Sequence, residues 1–158
     1  MTGPARVALD PRDRAATAKL YRRREVMTPL LEASAKGRVA ELRALIDGGA
    51  DLGVTTVDGN NALWLASAAG SLEAIQMLID AGIEVDHRNP DGATALIYAA
   101  SAGKAEIVAV LLRHGADPTL ETRDGFSALD LASTVECLAL LRKAHREVRA
   151  SRSADAAP

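Results

Sequence analysis

At 158 residues, 48% hydrophobic and 25% charged but only 3% aromatic, the chain suits one globular domain whose core is Ala, Leu, Ile and Val in thin helical layers. Its formal net charge of −2 hides a segregation: residues 1–24 hold seven Lys/Arg against two Asp/Glu (net +5), residues 25–141 seven against seventeen (net −10), and residues from Arg142 on five against two (net +3). The single cysteine, Cys137, excludes an internal disulfide and a cysteine-based zinc site, and no apolar run reaches the length of a membrane span or a signal peptide, so a cytoplasmic protein is expected.

In chain order, Asp10-Pro11-Arg12-Asp13 opens a helix. Asp10 can cap, Pro11 sits where its missing N–H costs nothing, and Asp13 complements the positive helix end. The basic leader, residues 1–24, is therefore expected to form a capping helix over the segment that begins at residue 25. From Asp58 the stretch DGNNALWLASAAGSLEAIQMLIDAGIEVDHRNP runs to Pro90, and a second version, DGATALIYAASAGKAEIVAVLLRHGADPTLETR, runs from Asp91 to Arg123. Shifting this 33-residue pattern one period each way gives four units, about 25–57, 58–90, 91–123 and 124–147.

Each unit repeats one grammar. A capping residue (Thr28, Asn61, Thr94, Ser127) precedes Pro or Ala and then Leu, which starts a short first helix rich in small residues. Gly37, Gly70 and Gly103 end it. A second helix comes next, with apolar residues three and four apart, such as Ile75, Leu78, Ile79 and Ile107, Val108, Leu111, Leu112. Extended stretches then lead to an Asp-Gly turn. The fourth unit needs a three-residue deletion to align Ala132 with Ala66 and Leu141 with Leu78, which removes the glycine that ends the first helix. The basic RKAHREVRASRSADAAP end prolongs the last helix at first, with Arg142, Lys143 and Arg146 facing the negative end of its dipole. Residues 148–158 are expected to be a disordered tail.

TPLL, NALW, TALI and SALD stand where ankyrin repeats carry Thr-Pro-Leu-His, and GGAD, AGIE and HGAD where they carry Gly-Ala-Asp. The chain resembles a four-unit ankyrin-repeat protein over residues 25–147, with degenerate terminal units. The resemblance implies an all-α fold: an ankyrin-repeat solenoid of stacked helix-turn-helix units with β-turn or hairpin tips.

No chemistry rises from the motifs. His87, His114 and His145 lack metal-ligand spacing, Cys137 falls in the apolar run CLALL, and no phosphate loop, nucleophile elbow or zinc-protease motif is present. No enzyme, no cofactor, no metal and no small-molecule substrate are expected. The resemblance implies protein binding through the turn tips and the exposed side of the first helices, which here include Val57, Asp58 and Asn60, Pro90, Asp91 and Ala93, and Arg123, Asp124 and Phe126, with Lys36, Ala68, Ala69, Ser101 and Ala102 nearby. Trp64 and Tyr98 join the expected partner-binding set as aromatic anchors, although Trp64 stands at the family's His position, where packing between repeats is usual. Asp58, Asp91 and Asp124 are turn formers that also make an acidic ridge, one per repeat.

The expected function is thus a non-catalytic adaptor or regulator that docks a basic patch of another protein. Two alternatives stand beside it. One is an inhibitor or immunity-type protein that occludes a partner's active site. The other is nucleic-acid binding through Arg12, Arg14, Lys19 and Arg22, Arg23 and Arg24, which the acidic middle opposes by repelling phosphates.

Overall fold

The computed structural model describes residues 27–156; the expected capping helix within 1–24 lies outside them. Among the described residues there are eight helices, in chain order α1 (Pro29–Ala35), α2 (Val39–Asp47), α3 (Ala62–Ala69), α4 (Leu72–Asp80), α5 (Ala95–Ser101), α6 (Ala105–Arg113), α7 (Ala128–Leu131) and α8 (Val135–Asp155). They form four pairs. All four first helices start at the residues read as caps: the side-chain oxygens of Thr28, Asn61, Thr94 and Ser127 accept from the backbone N–H three residues on, at 3.3, 3.0, 3.2 and 3.3 Å. Each cap satisfies one donor that the first turn leaves orphaned.

The pairs stack into two layers. In one layer α1, α3, α5 and α7 pack in succession, and in the other α2, α4, α6 and α8 do the same. The core lies between them and is aliphatic, as the low aromatic content requires: Leu31, Leu63, Ile75, Leu78, Leu96, Val108, Leu111 and Leu141 are wholly or almost wholly buried. Ala33, Ala62, Ala66, Ala74, Ala99 and Ala100 are buried among them, and their small side chains let successive helices approach closely. Cys137 is a buried free thiol within this core.

Between pairs the chain makes three narrow tips one period apart, around residues 55–61, 88–94 and 121–127. In each, two backbone hydrogen bonds close the turn: Thr56 N–H to Asn60 O and Gly59 N–H to Thr56 O, then Asn89 to Ala93 and Gly92 to Asn89, then Thr122 to Phe126 and Gly125 to Thr122, all between 2.8 and 3.1 Å. Antiparallel bridges join Thr55 to Asn61 and Glu121 to Ser127, so the tips are hairpin-like without extended strands among the described residues. Gly59 shows why the Asp-Gly turn is needed. Its φ is +77°, and a methyl group there would collide with the ring of Pro90 in the next tip.

The fourth pair differs from the others in both halves. The three-residue deletion leaves α7 only four residues long, and Thr134 caps α8 directly by accepting from Cys137 N–H at 3.2 Å. At 21 residues, α8 is about 31 Å long, more than twice the nine-residue second helices before it. The disordered tail expected from residue 148 is corrected here, because the helix continues through Asp155. Nothing between 148 and 155 breaks a helix, since the run contains neither Gly nor Pro. Arg152 also ties the extension back to the third unit, 3.4 Å from Asp117 Oδ2 and 3.3 Å from Thr119 Oγ1. As a consequence Arg142, Lys143 and Arg146 lie mid-helix, and Arg152 is the basic residue of the last turn.

Candidate functional site

The three tips carry aligned four-residue faces: Val57-Asp58-Gly59-Asn60, Pro90-Asp91-Gly92-Ala93 and Arg123-Asp124-Gly125-Phe126. Asp58, Asp91 and Asp124 are all exposed, as are Val57, Pro90 and Arg123, so the row of carboxylates expected from the period is present. The fourth position changes along the stack. Asn60 is 9% exposed, Ala93 is half-buried, and Phe126 is 49% exposed. Asn60 is therefore spent inside the tip stack, where its Oδ1 accepts from Asn89 Nδ2 at 3.0 Å, and Phe126 is the one large apolar side chain its position presents to solvent.

Four of the expected residues come together. Asp91, Arg123, Asp124 and Phe126, with Thr122 and Leu131, line a cleft of about 610 Å³ between the third and fourth units. The carboxylates outnumber the guanidinium, so the cleft is net negative, with an aromatic ring and a leucine beside the charges. No ion pair among the described residues uses Asp58, Asp91, Asp124 or Arg123. Arg123 enters the wall by its backbone, donating its N–H to Asp91 O at 2.8 Å.

Trp64 and Tyr98 stand apart from that cleft, on the neighbouring first helices α3 and α5. Their ring centroids are 4.5 Å apart with planes tilted by 43°, and both residues are half-buried. They form one contact across two repeats rather than two separate anchors, a geometry that contributes about 0.5–1.5 kcal/mol beyond area. The indole Nε1 of Trp64 is buried and has no acceptor among the described residues.

The residues that hold the tips in register have no motif in the sequence. The ring nitrogen Nε2 of His87 lies 2.7 Å from Gly59 O and donates to it, Arg88 reaches Glu121 O, and Asn89 reaches Asn60. Only Asn89 left a trace. Thr56, Asn89 and Thr122 share one position of the period, and each uses its side-chain oxygen to accept a backbone N–H within its own tip. The amide of Asn89 accepts with Oδ1 and also donates with Nδ2 to the neighbouring tip, a second bond that neither threonine makes among the described residues.

Electrostatics near the loop after α6 are set by Asp86 and Asp117. Burial raises the pKa of Asp86, against the hydrogen bond that its Oδ1 accepts from Asp117 N–H at 2.9 Å. For Asp117 burial also acts upward, but hydrogen bonds from Thr119 and the charge of Arg152 outweigh it and hold the carboxyl below its ordinary 3.8. His114 is exposed and hydrogen-bonds Gln76 Oε1 at 3.1 Å. Among the described residues no three His, Cys, Asp or Glu side chains cluster as a metal site, and no helix is long and apolar enough to cross a membrane.

A family model described as ankyrin repeats (3 copies) matches residues 12–89, and one described as ankyrin repeats (many copies) matches residues 78–132. The chain belongs to the ankyrin-repeat family. The helix pairs and hairpin-like tips are thus an all-α ankyrin solenoid, and ankyrin repeats are generally protein–protein interaction modules. No curated protein matches the chain. The first match begins at residue 12, ahead of the first unit read from the sequence, so the ankyrin pattern reaches into the basic leader. The cations named there for nucleic-acid binding, Arg12 to Arg24, lie outside the described residues.

Proposed function

We propose that this ankyrin-repeat protein is a non-catalytic adaptor or regulator, working in the cytoplasm, that docks a basic patch of a partner protein on its tips and first-helix layer. The cleft between the third and fourth units carries the reading. There an exposed Phe126 stands beside the unpaired carboxylates of Asp91 and Asp124. A partner Arg or Lys entering it meets carboxylates for its charge and an aromatic face for its stem. Aromatic side chains in partly desolvated pockets supply much of the affinity of protein interfaces, and the acidic body, net −10 over residues 25–141, steers a basic surface toward the ridge. Val57, Asp58, Pro90 and Ala93 extend the same surface along the stack. The buried free thiol of Cys137 suits a reducing compartment.

The test is a paired capture from the native cytoplasm followed by mass spectrometry, with wild type and the double variant Phe126→Ala/Asp91→Lys as baits. Both residues are exposed, so circular dichroism should be unchanged and the partner enriched by wild type should be lost. A partner retained by the folded variant would show that binding uses another face. Titration with random-sequence DNA addresses the nucleic-acid alternative, because phosphate binding would fall steeply with added salt.

A further inference from the structure

The fourth unit has no successor among the described residues, and two of its apolar positions remain uncovered as a result. Leu30, Leu63 and Leu96, each two residues past a first-helix cap, are 2%, 0% and 1% exposed, whereas Leu129 at the same position is half-buried. Likewise Leu42, Ile75 and Val108, each four residues past a second-helix cap, are fully buried, and Leu138 is half-buried. Beside Leu129 a groove of about 490 Å³ opens between α7 and α8, walled by Ala139, Arg142, His145 and Arg146.

The groove is charged with one sign. Arg142, Arg146 and Arg149 recur along α8 at spacings that put them on one side of the helix. Together with Lys143 they are exposed, and none forms an ion pair among the described residues. Asp130, the one carboxylate of the facing helix α7, does not line the groove; its Oδ2 accepts from Ser127 N–H at 2.8 Å and from Ser127 Oγ at 2.7 Å. A terminal repeat needs a polar outer face for solubility, and mixed charges serve that need. A run of cations beside an uncovered leucine is more selective than solubility requires.

We propose that this end face docks an acidic amphipathic helix of a partner protein, with the apolar side of that helix on Leu129 and Ala139 and its carboxylates on Arg142, Arg146 and Arg149. The site is opposite in charge to the tip cleft and independent of it. One feature favours a protein over nucleic acid: the apolar floor of Leu129 and Ala139, which contact with a phosphate backbone alone would leave uncovered.

The test uses the full chain and fluorescence anisotropy of a labelled synthetic helix of about 18 residues, with Leu along one side and Glu on the other. The competitors are a Glu/Ser peptide without Leu and random-sequence duplex DNA. The Glu/Leu helix should bind, weaken with added salt, and lose about tenfold or more in affinity to Arg142→Glu/Arg146→Glu. Ala139→Glu, at an exposed position, should give a comparable loss without disturbing helicity. Phe126→Ala/Asp91→Lys should leave this binding intact, which separates failure of the tip reading from failure here. The proposal is overturned by absent binding, by affinity indifferent to either groove variant, by equal binding of the Glu/Ser peptide, or by tighter binding of DNA.

Discussion

Trp64 carries two opposed contributions. Its ring packs against Tyr98 across the repeat boundary, while its indole N–H is buried without an acceptor among the described residues, and an unsatisfied buried donor costs about 1–3 kcal/mol. Trp64→Phe keeps a ring and removes the donor, so it should leave stability unchanged or raise it by about 1 kcal/mol, whereas Trp64→Ala should cost about 3 kcal/mol or more. Denaturant midpoints decide it; a phenylalanine variant as damaged as the alanine one would mean that the N–H has a partner. Asp117 supplies a pH test of known sign. Its folded pKa lies below the ordinary 3.8, so its stabilisation is present above that value and is lost as pH falls through the lower, folded one. Asp86, with its pKa raised by burial, works in the opposite direction. Asp117→Asn should therefore be less stable than wild type at neutral pH and decline less steeply in acid, below about pH 4. At this scale the caps were legible because a helix start needs a side-chain acceptor at one position. The Trp64–Tyr98 pair was not legible as a pair, because the two residues fall at different positions of the period and only stacking joins them.

Among the elements, the tips and α8 show where periodicity informs and where it stops. Position 59 demands glycine twice over, by its left-handed φ and by the ring of Pro90 beside it. Gly59→Ala should cost about 1–3 kcal/mol and loosen the first tip against the second, read as faster amide exchange at residues 55–61 and 88–94 with the helices still protected. Exchange unchanged at both tips would mean that they are not clamped together. Asp-Gly spacing announced the turns. It could not announce the clamps of His87, Arg88 and Asn89, which join residues 28 to 33 apart in sequence. The C-terminal helix fails differently: its polar, basic composition after residue 147 reads as tail because no apolar stripe marks it. Its order comes from intrinsic helix propensity and from the attachment of Arg152 to Asp117 and Thr119.

For the molecule as a whole, stability is distributed along one axis, since each pair packs on its immediate neighbours in both layers. Position in the stack should therefore decide how far a core defect spreads. Leu78 and Leu111 lie in the second and third units and Leu141 in the fourth, all 0% exposed, so each change to Ala removes the same side-chain atoms from a fully buried site and should cost about 2–5 kcal/mol. Against a whole-domain stability of about 5–15 kcal/mol, that is enough to expose differences in cooperativity. Leu78→Ala and Leu111→Ala each cut the stack between units that support one another, so the domain should still unfold in a single transition at a lower denaturant concentration. Leu141→Ala weakens only the fourth pair, where α7 has four residues and α8 has one neighbour in its layer among the described residues. Hydrogen exchange should then show α7 and α8 opening by themselves while α1 to α4 keep their protection. If the three variants gave the same exchange pattern, the domain would be behaving as one indivisible core rather than as a stack, and the nearest-neighbour account of its stability would be wrong.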